Sequence, residues 1–180
     1  MPVASFAGPG PQLEPVRFFT GHVRSWGVLE SRSGTPTGTL STDCQGTLEP
    51  GGRLHMVQRL AYGDGKTMMR DWHMRRIAPG RFEATANDMV GTGHGESAGR
   101  AFHLRWILAA QPGDSLANVQ MDQWMYLMDD GAMINRTIIS KLGVIVAEAT
   151  EGFERLPRAA LDQSAAIPLP PTAPAPLPPG

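Results

Sequence analysis

Apolar and polar residues alternate along most of the chain between residues 18 and 156, in short segments separated by turn residues. Alternation with a period of two is typical of β-strands that bury one face. Hairpin signals end two of the segments, at Gly63-Asp64-Gly65 and at Asp129-Asp130-Gly131. The spacing of the turns predicts about nine or ten short strands and almost no helix.

The short links between these segments indicate the topology. Strands joined by hairpins are neighbours in the sheet. A long antiparallel meander tends to close, because closure removes exposed strand edges. The sequence therefore predicts an all-β fold, an antiparallel up-and-down β-barrel of roughly eight to ten strands, which is wide enough to enclose an interior cavity.

Proline-rich segments flank the predicted barrel and define three regions. Residues 1–15 contain several prolines and glycines and predict a flexible N-terminal arm, and residues 16–157 form the barrel domain. Residues 158–180 are rich in proline and alanine and predict a disordered tail. Such a tail is either simply solvated or a docking segment for the aromatic-lined groove of a protein partner.

Length, charge and cysteine content narrow the function classes. The chain has 180 residues, a formal net charge of -1 and no run of Lys or Arg, so we expect one domain without a nucleic-acid partner. The single cysteine, Cys44, cannot form an internal disulfide. We see no secretory signal, no lipoprotein attachment motif and no apolar stretch near the roughly 18 residues of a transmembrane segment, which predicts a cytoplasmic protein.

The sequence contains no recognisable cofactor or catalytic motif. Its glycine-rich stretch around residues 91–99 lacks the Lys-Ser/Thr ending of a phosphate loop. None of the histidines has the close paired spacing of a common zinc site. They are His22, His55, His73, His94 and His103. The sequence therefore predicts no metal and no cofactor, and it assigns no catalytic residue.

Candidate binding residues emerge when each strand is sorted into its two faces. The segment 100–110 has one apolar face, formed by Phe102, Leu104, Trp106 and Leu108. Two other segments place charge beside tryptophan on one face, as Arg70 with Trp72 and as Asp122 with Trp124. One interpretation is that these four side chains point into the lumen and bind a small ligand between aromatic surfaces and a few polar groups. The alternative is an internal Arg–Asp pair or a partly exposed face, with the tryptophans as packing.

An ordered series of short motifs resembles one known family. The series is Phe19-x-Gly21, Ser25-Trp26-Gly27, Tyr62-x-Asp64-Gly65, Arg70-x-Trp72, Asp88-x-Val90-Gly91, Gly99-x-Ala101, Asp122-Gln123-Trp124-Met125, Asn135-Arg136 and Leu142-Gly143. It resembles an uncharacterised bacterial family with a lipocalin-like (calycin-type) barrel, many members of which are described as lipoproteins. The resemblance covers about residues 16–155.

The resemblance implies a shared role for one set of residues. That set is Trp26, Arg70, Trp72, Asp88, Asp122, Trp124, Asn135 and Arg136. The chain departs from the family at Gln58, Arg100 and Gln123, where the family has an acidic residue, Asn and Asp. If these positions line the pocket, either the ligand of this chain differs from that of its relatives or the site has decayed.

Three functional hypotheses remain open from the sequence. The first is a barrel that binds a small amphipathic or lipid-like ligand, with Trp26, Trp72 and Trp124 as walls and with Arg70 and Arg136 as partners of an anionic group. The second is a small-barrel enzyme that uses Asp88 or Asp122 as an acid or base. The third is a structural or partner-binding module that docks through its proline-rich tail.

Overall fold

The computed structural model describes residues 1–157, which form a closed antiparallel barrel of ten strands. Each strand pairs with its neighbours in sequence, and the first strand pairs with the last, so the sheet has no free edge. The all-β up-and-down barrel expected from the hairpin pattern is thereby confirmed. The predicted tail, residues 158–180, lies outside the described residues.

The strands follow the chain in a simple meander. Their bounds are β1 Gly21–Ser31, β2 Pro36–Glu49, β3 Arg53–Tyr62, β4 Thr67–Ala78, β5 Arg81–Ala86, β6 Gly93–Ala98, β7 Ala101–Leu108, β8 Val119–Leu127, β9 Met133–Lys141 and β10 Val144–Arg155. One short helix, α1, spans Pro15–Phe19. No helix in residues 1–157 has both the length and the apolar character needed to cross a membrane.

Helix α1 closes one end of the barrel. It packs against β2, β3 and β4, and Phe19 lies edge-on to Phe153 with ring centroids 5.8 Å apart. The approach to β2 requires a glycine, because a Cβ at Gly46 would lie 1.8 Å from the carbonyl oxygen of Phe19. The absence of a side chain at Gly46 therefore lets α1 approach β2 closely enough to seal this end of the barrel.

The N-terminal arm contacts the outside of the barrel and the turn at Gly99. A 3-10 turn at Val3–Phe6 packs the Phe6 ring against Trp124 and Tyr126 on the outside of the barrel, with centroids 6.3 and 5.5 Å apart. Leu13 is buried, and its backbone N–H donates to the carbonyl of Gly99. These ring contacts and this hydrogen bond connect the segment to the barrel, and composition alone did not predict them.

The interior faces follow the alternation in most strands. Phe102, Leu104 and Trp106 of β7 are buried, as expected for a core face. In β8 the inward residues are Met121, Gln123 and Met125, and the intervening positions lie outside. The sequence left this choice open for β8, because neither of its faces is wholly polar.

Candidate ligand site in the barrel lumen

The lumen contains a cavity of about 340 Å³. It begins above Phe19 at the end sealed by α1 and extends to residues close to the opposite strand ends, including Leu29, Tyr62 and Leu108. Most of the surrounding side chains are apolar, and a few polar groups face the space among them. The volume lies at the lower end of the roughly 300–1,000 Å³ range of small-molecule pockets.

The principal polar group in the cavity is Arg70 of β4, whose side chain is almost fully buried. Its Nε donates to both carboxylate oxygens of Asp88, at 2.9 and 2.8 Å. Its guanidinium carbon lies 5.0 Å from the ring centroid of Trp106 and 5.6 Å from that of Trp72. Within residues 1–157, the two terminal guanidinium nitrogens make no further hydrogen bond.

The two tryptophans beside Arg70 form an aromatic corner. Their rings meet edge-to-face at 5.2 Å. Each indole N–H already has an acceptor, because Trp72 donates to Gln58 at 2.9 Å and Trp106 donates to Gln123 at 2.6 Å. The indoles are thus held in fixed orientations, and what they offer to the cavity is apolar surface.

A second polar group in the lumen is the buried carboxyl of Glu151 on β10. It accepts hydrogen bonds from Ser25 Oγ at 2.9 Å and from Asn135 Nδ2 at 3.0 Å. A Cβ at Gly27, in the paired strand β1, would lie 2.6 Å from Glu151 Cγ, so glycine leaves room for this side chain. The Asn135 amide also donates to Thr137, which extends the network along β9.

Burial raises the pKa of Glu151 above its usual value of 4.5. Hydrogen bonds from Ser25 and Asn135 and the positive charge of Arg70 act in the opposite direction but do not overcome the loss of hydration. A carboxyl whose pKa is raised by burial therefore lies on one side of the cavity, and an arginine–aspartate pair lies on the other.

The structure divides the predicted site residues between inside and outside. Arg70 and Trp72 line the cavity, Asp88 pairs with Arg70, and Asn135 is buried in the Glu151 network. The remaining four lie on the outer surface: Trp26, Asp122, Trp124 and Arg136. The expectation that Asp122 and Trp124 point into the lumen, and that Trp26 and Arg136 face a ligand there, is therefore corrected.

The outward side chains have partners on the surface. Trp124 stacks on His103 at a centroid distance of 4.0 Å, and Asp122 Oδ1 lies 3.0 Å from His103 Nε2. Arg136 forms an ion pair with Glu148. An aromatic or charged residue on the outside of a strand thus gives the same sequence pattern as one in the lumen.

Sequence reasoning missed four lumen residues. They are Gln58, Trp106, Gln123 and Glu151. Gln58 and Gln123 appeared only as departures from the family pattern, and Trp106 only as a core residue. Glu151 could have been found by the period of two, because it lies between Ala149 and Phe153 on the buried face of β10.

The closed meander, the end sealed by a helix and the lined lumen together define a small closed β-barrel protein. The chain belongs to the family described as Protein of unknown function (DUF3833), whose sequence pattern matches residues 1–155. The resemblance to an uncharacterised family is thereby confirmed. No curated protein matches the chain.

Several solved structures share the fold at low sequence identity. An S-type phycobiliprotein lyase, CPES from Guillardia theta, is similar with a TM-score of 0.59 and 8% identity, over 79% of this chain and 90% of that one. Rv2717c from M. tuberculosis is similar with a TM-score of 0.58 and 14% identity, over 81% and 99%. A DUF3598 protein of unknown function from Nostoc punctiforme gives 0.56 and 16%, over 81% of this chain and 50% of that one.

Proposed function

We propose that this protein binds a small amphipathic molecule in the lumen of its barrel. The cavity of about 340 Å³, apolar except for a few fixed polar groups, is the observation that carries the proposal. A site of this composition gains affinity from apolar contact and orientation from its polar groups.

The charges in the lumen narrow the chemistry of the ligand. Asp88 offsets the charge of Arg70, and burial raises the pKa of Glu151, which limits the negative charge that the lumen presents to an acidic group. The terminal nitrogens of Arg70 can donate two parallel hydrogen bonds to a carboxylate or another oxyanion. The proposed ligand therefore has one acidic or strongly accepting end and an apolar body.

The two tryptophans of the aromatic corner provide the contact surface for the apolar body of the proposed ligand. Trp72 and Trp106 present apolar surfaces beside Arg70, and both rings are held by glutamine acceptors. A flat or chain-like apolar group beside them would keep water away from the contact with Arg70. Exclusion of water strengthens such a charge-assisted hydrogen bond.

Binding is a better account of this site than catalysis by the two carboxylates considered from the sequence. Asp88 is held by Arg70, and Asp122 lies outside beside His103. The similarity to a protein named a phycobiliprotein lyase, at 8% identity, concerns the fold. The proposal depends on the lumen of this chain and not on that name.

The test is native mass spectrometry of the full chain purified from its own host, followed by solvent extraction of bound molecules. We expect a reproducible adduct whose extract contains an apolar molecule with one acidic or accepting end. Protein that carries no adduct in repeated preparations would contradict the proposal.

A matched pair of variants tests the role of Arg70. Arg70→Lys keeps a cation for Asp88 but removes the fork of terminal N–H groups, so occupancy should fall. Arg136→Lys makes the same change on the outer surface, where the partner is Glu148, and should leave occupancy unchanged. Equal occupancy in both variants would show that Arg70 does not hold the ligand.

A further inference from the structure

Two adjacent strands bring a pair of histidines and an aspartate together on the outside of the barrel. His55 of β3 lies directly opposite His73 of β4, and their rings stack at 4.7 Å with an angle of 8°. Asp71 Oδ1 lies 2.7 Å from His55 Nε2 and 3.9 Å from His73 Nε2. The three potential ligand atoms all lie within 4.8 Å of one another.

We propose that His55, Asp71 and His73 bind a first-row transition-metal dication, with Zn²⁺ as the probe. This inference goes beyond the ligand-binding lumen and does not depend on it. Two imidazole nitrogens and one carboxylate oxygen form a donor set that suits Zn²⁺, Cu²⁺ or Ni²⁺. Three protein ligands leave a fourth position for water or for a group of a partner molecule.

The backbone holds the ligands close to the required geometry. Cross-strand side chains start only about 5 Å apart at their Cβ atoms, so two opposite histidines can share one ion. The β3–β4 register places Leu54 opposite Met74 and Met56 opposite Trp72, on either side of the histidine pair. The backbone N–H of Asp71 donates to Asn87 Oδ1 at 2.8 Å, which fixes the strand at the carboxylate.

The surrounding charges are compatible with a bound cation. The nearest arginines in the next outward positions are Arg53 and Arg75, and each has its own carboxylate partner, Glu49 and Glu83. All three proposed ligands are partly exposed to solvent, so an ion can reach them.

The donor set also predicts which ions are rejected. Ca²⁺ and Mg²⁺ require several oxygen ligands, and this group supplies oxygen only through Asp71. Within residues 1–157 this is the one group of three such side chains whose ligand atoms converge. His22 with Asp43 and His103 with Asp122 each form a pair without a third ligand. Cys44 is fully buried and does not compete for the ion.

The test is calorimetric titration of the full chain, without a histidine tag, with ZnCl₂ and separately with MgCl₂. We expect one zinc site per chain and no comparable heat with magnesium. His55→Gln and His73→Gln should each weaken zinc binding by at least the ~100-fold that loss of an outer-shell contact can cost. His94→Gln, at an exposed position of β6 two strands away from β4, is the matched control and should bind like wild type.

The zinc-dependent shift of the melting temperature is a second measurement, and it distinguishes loss of binding from poor folding of a variant. Zinc stabilises only the folded state to which it binds, so the melting temperature should rise with zinc in wild type and in His94→Gln. The rise should be absent in His55→Gln and His73→Gln, while their far-UV circular dichroism remains that of a β-barrel. No zinc binding by wild type, or equal binding by all four proteins, would overturn the proposal.

Discussion

Replacement of Glu151 by glutamine tests whether burial raises the pKa of this carboxyl, which faces the cavity and accepts hydrogen bonds from Ser25 and Asn135. Glutamine has nearly the same shape and cannot ionise. Ser25 can still donate to its amide oxygen. Asn135 Oδ1 has no hydrogen-bond partner within the described residues, and rotation of that amide would let it accept from the new NH₂ group.

The sign of the effect follows from the raised pKa. Below the ordinary value of 4.5, Glu151 is protonated in both the folded and the unfolded chain, and its contribution to stability is complete. As the pH rises toward the folded-state pKa, the unfolded chain loses the proton first, and the protein is destabilised. The loss approaches about 1.4 kcal/mol per pH unit inside this window and stops above the folded-state pKa.

The assay is urea unfolding of wild type and Glu151→Gln from pH 4 to pH 9. The free energy of unfolding of the variant minus that of wild type should rise with pH above 4.5 and then level off. Glu154→Gln, on the exposed face of the same strand, should stay within about 0.5 kcal/mol of wild type at neutral pH. A difference for Glu151→Gln that is flat across pH, or that falls, would refute the account of its environment.

Two further changes test the sealed end and the buried interior. Gly46→Ala would place a Cβ 1.8 Å from the carbonyl oxygen of Phe19 and should cost about 1–3 kcal/mol by displacing α1. A Cβ at Gly152 would have no atom within 4 Å, so Gly152→Ala is the control. Similar melting temperatures of the two variants would contradict the sealing role of α1. Burial raises the pKa of Cys44 to about 12, so the folded protein should not react with a thiol reagent at pH 8, whereas protein in urea should. Rapid labelling of the native state would show that this side of the barrel opens.

The barrel could be predicted because its signals are local. Period-two segments and turn residues such as Gly63-Asp64-Gly65 determine hairpins, and consecutive hairpins determine a meander. The packing of the N-terminal arm against the barrel could not be predicted in the same way. Its contacts are long-range, such as Phe6 on Tyr126 and Leu13 on Gly99, and composition carries no information about them.

The direction of individual side chains was harder to predict than the fold. Both faces of β8 mix polar and apolar residues, so the hydrophobic pattern did not determine whether Trp124 or Gln123 faces the lumen. Packing decided the matter, because Trp124 is covered outside by His103 and Phe6, while Gln123 accepts the indole N–H of Trp106.

Pairs of residues that meet through strand register are also hidden in the sequence. His55 and His73 face each other only because the β3–β4 hairpin sets one particular alignment. Their sequence spacing resembles no common zinc motif. Arg70 was identified as a polar residue next to Trp72, but its contact with Asp88 depends on the β4–β5 register. That register pairs Trp72 with Ala86 and so brings Asp88 beside Arg70.

The most direct test of ligand binding in the lumen is to fill the cavity with a larger side chain and to measure whether the ligand is lost. Ala149 lines the cavity, whereas its neighbour Thr150 faces solvent, so Ala149→Phe and Thr150→Phe add the same ring to opposite sides of β10. Both variants would be purified from the native host and compared with wild type by native mass spectrometry. A ligand held in the barrel should be present with Thr150→Phe and missing with Ala149→Phe. The same adduct on both variants would mean that the molecule binds elsewhere on the protein.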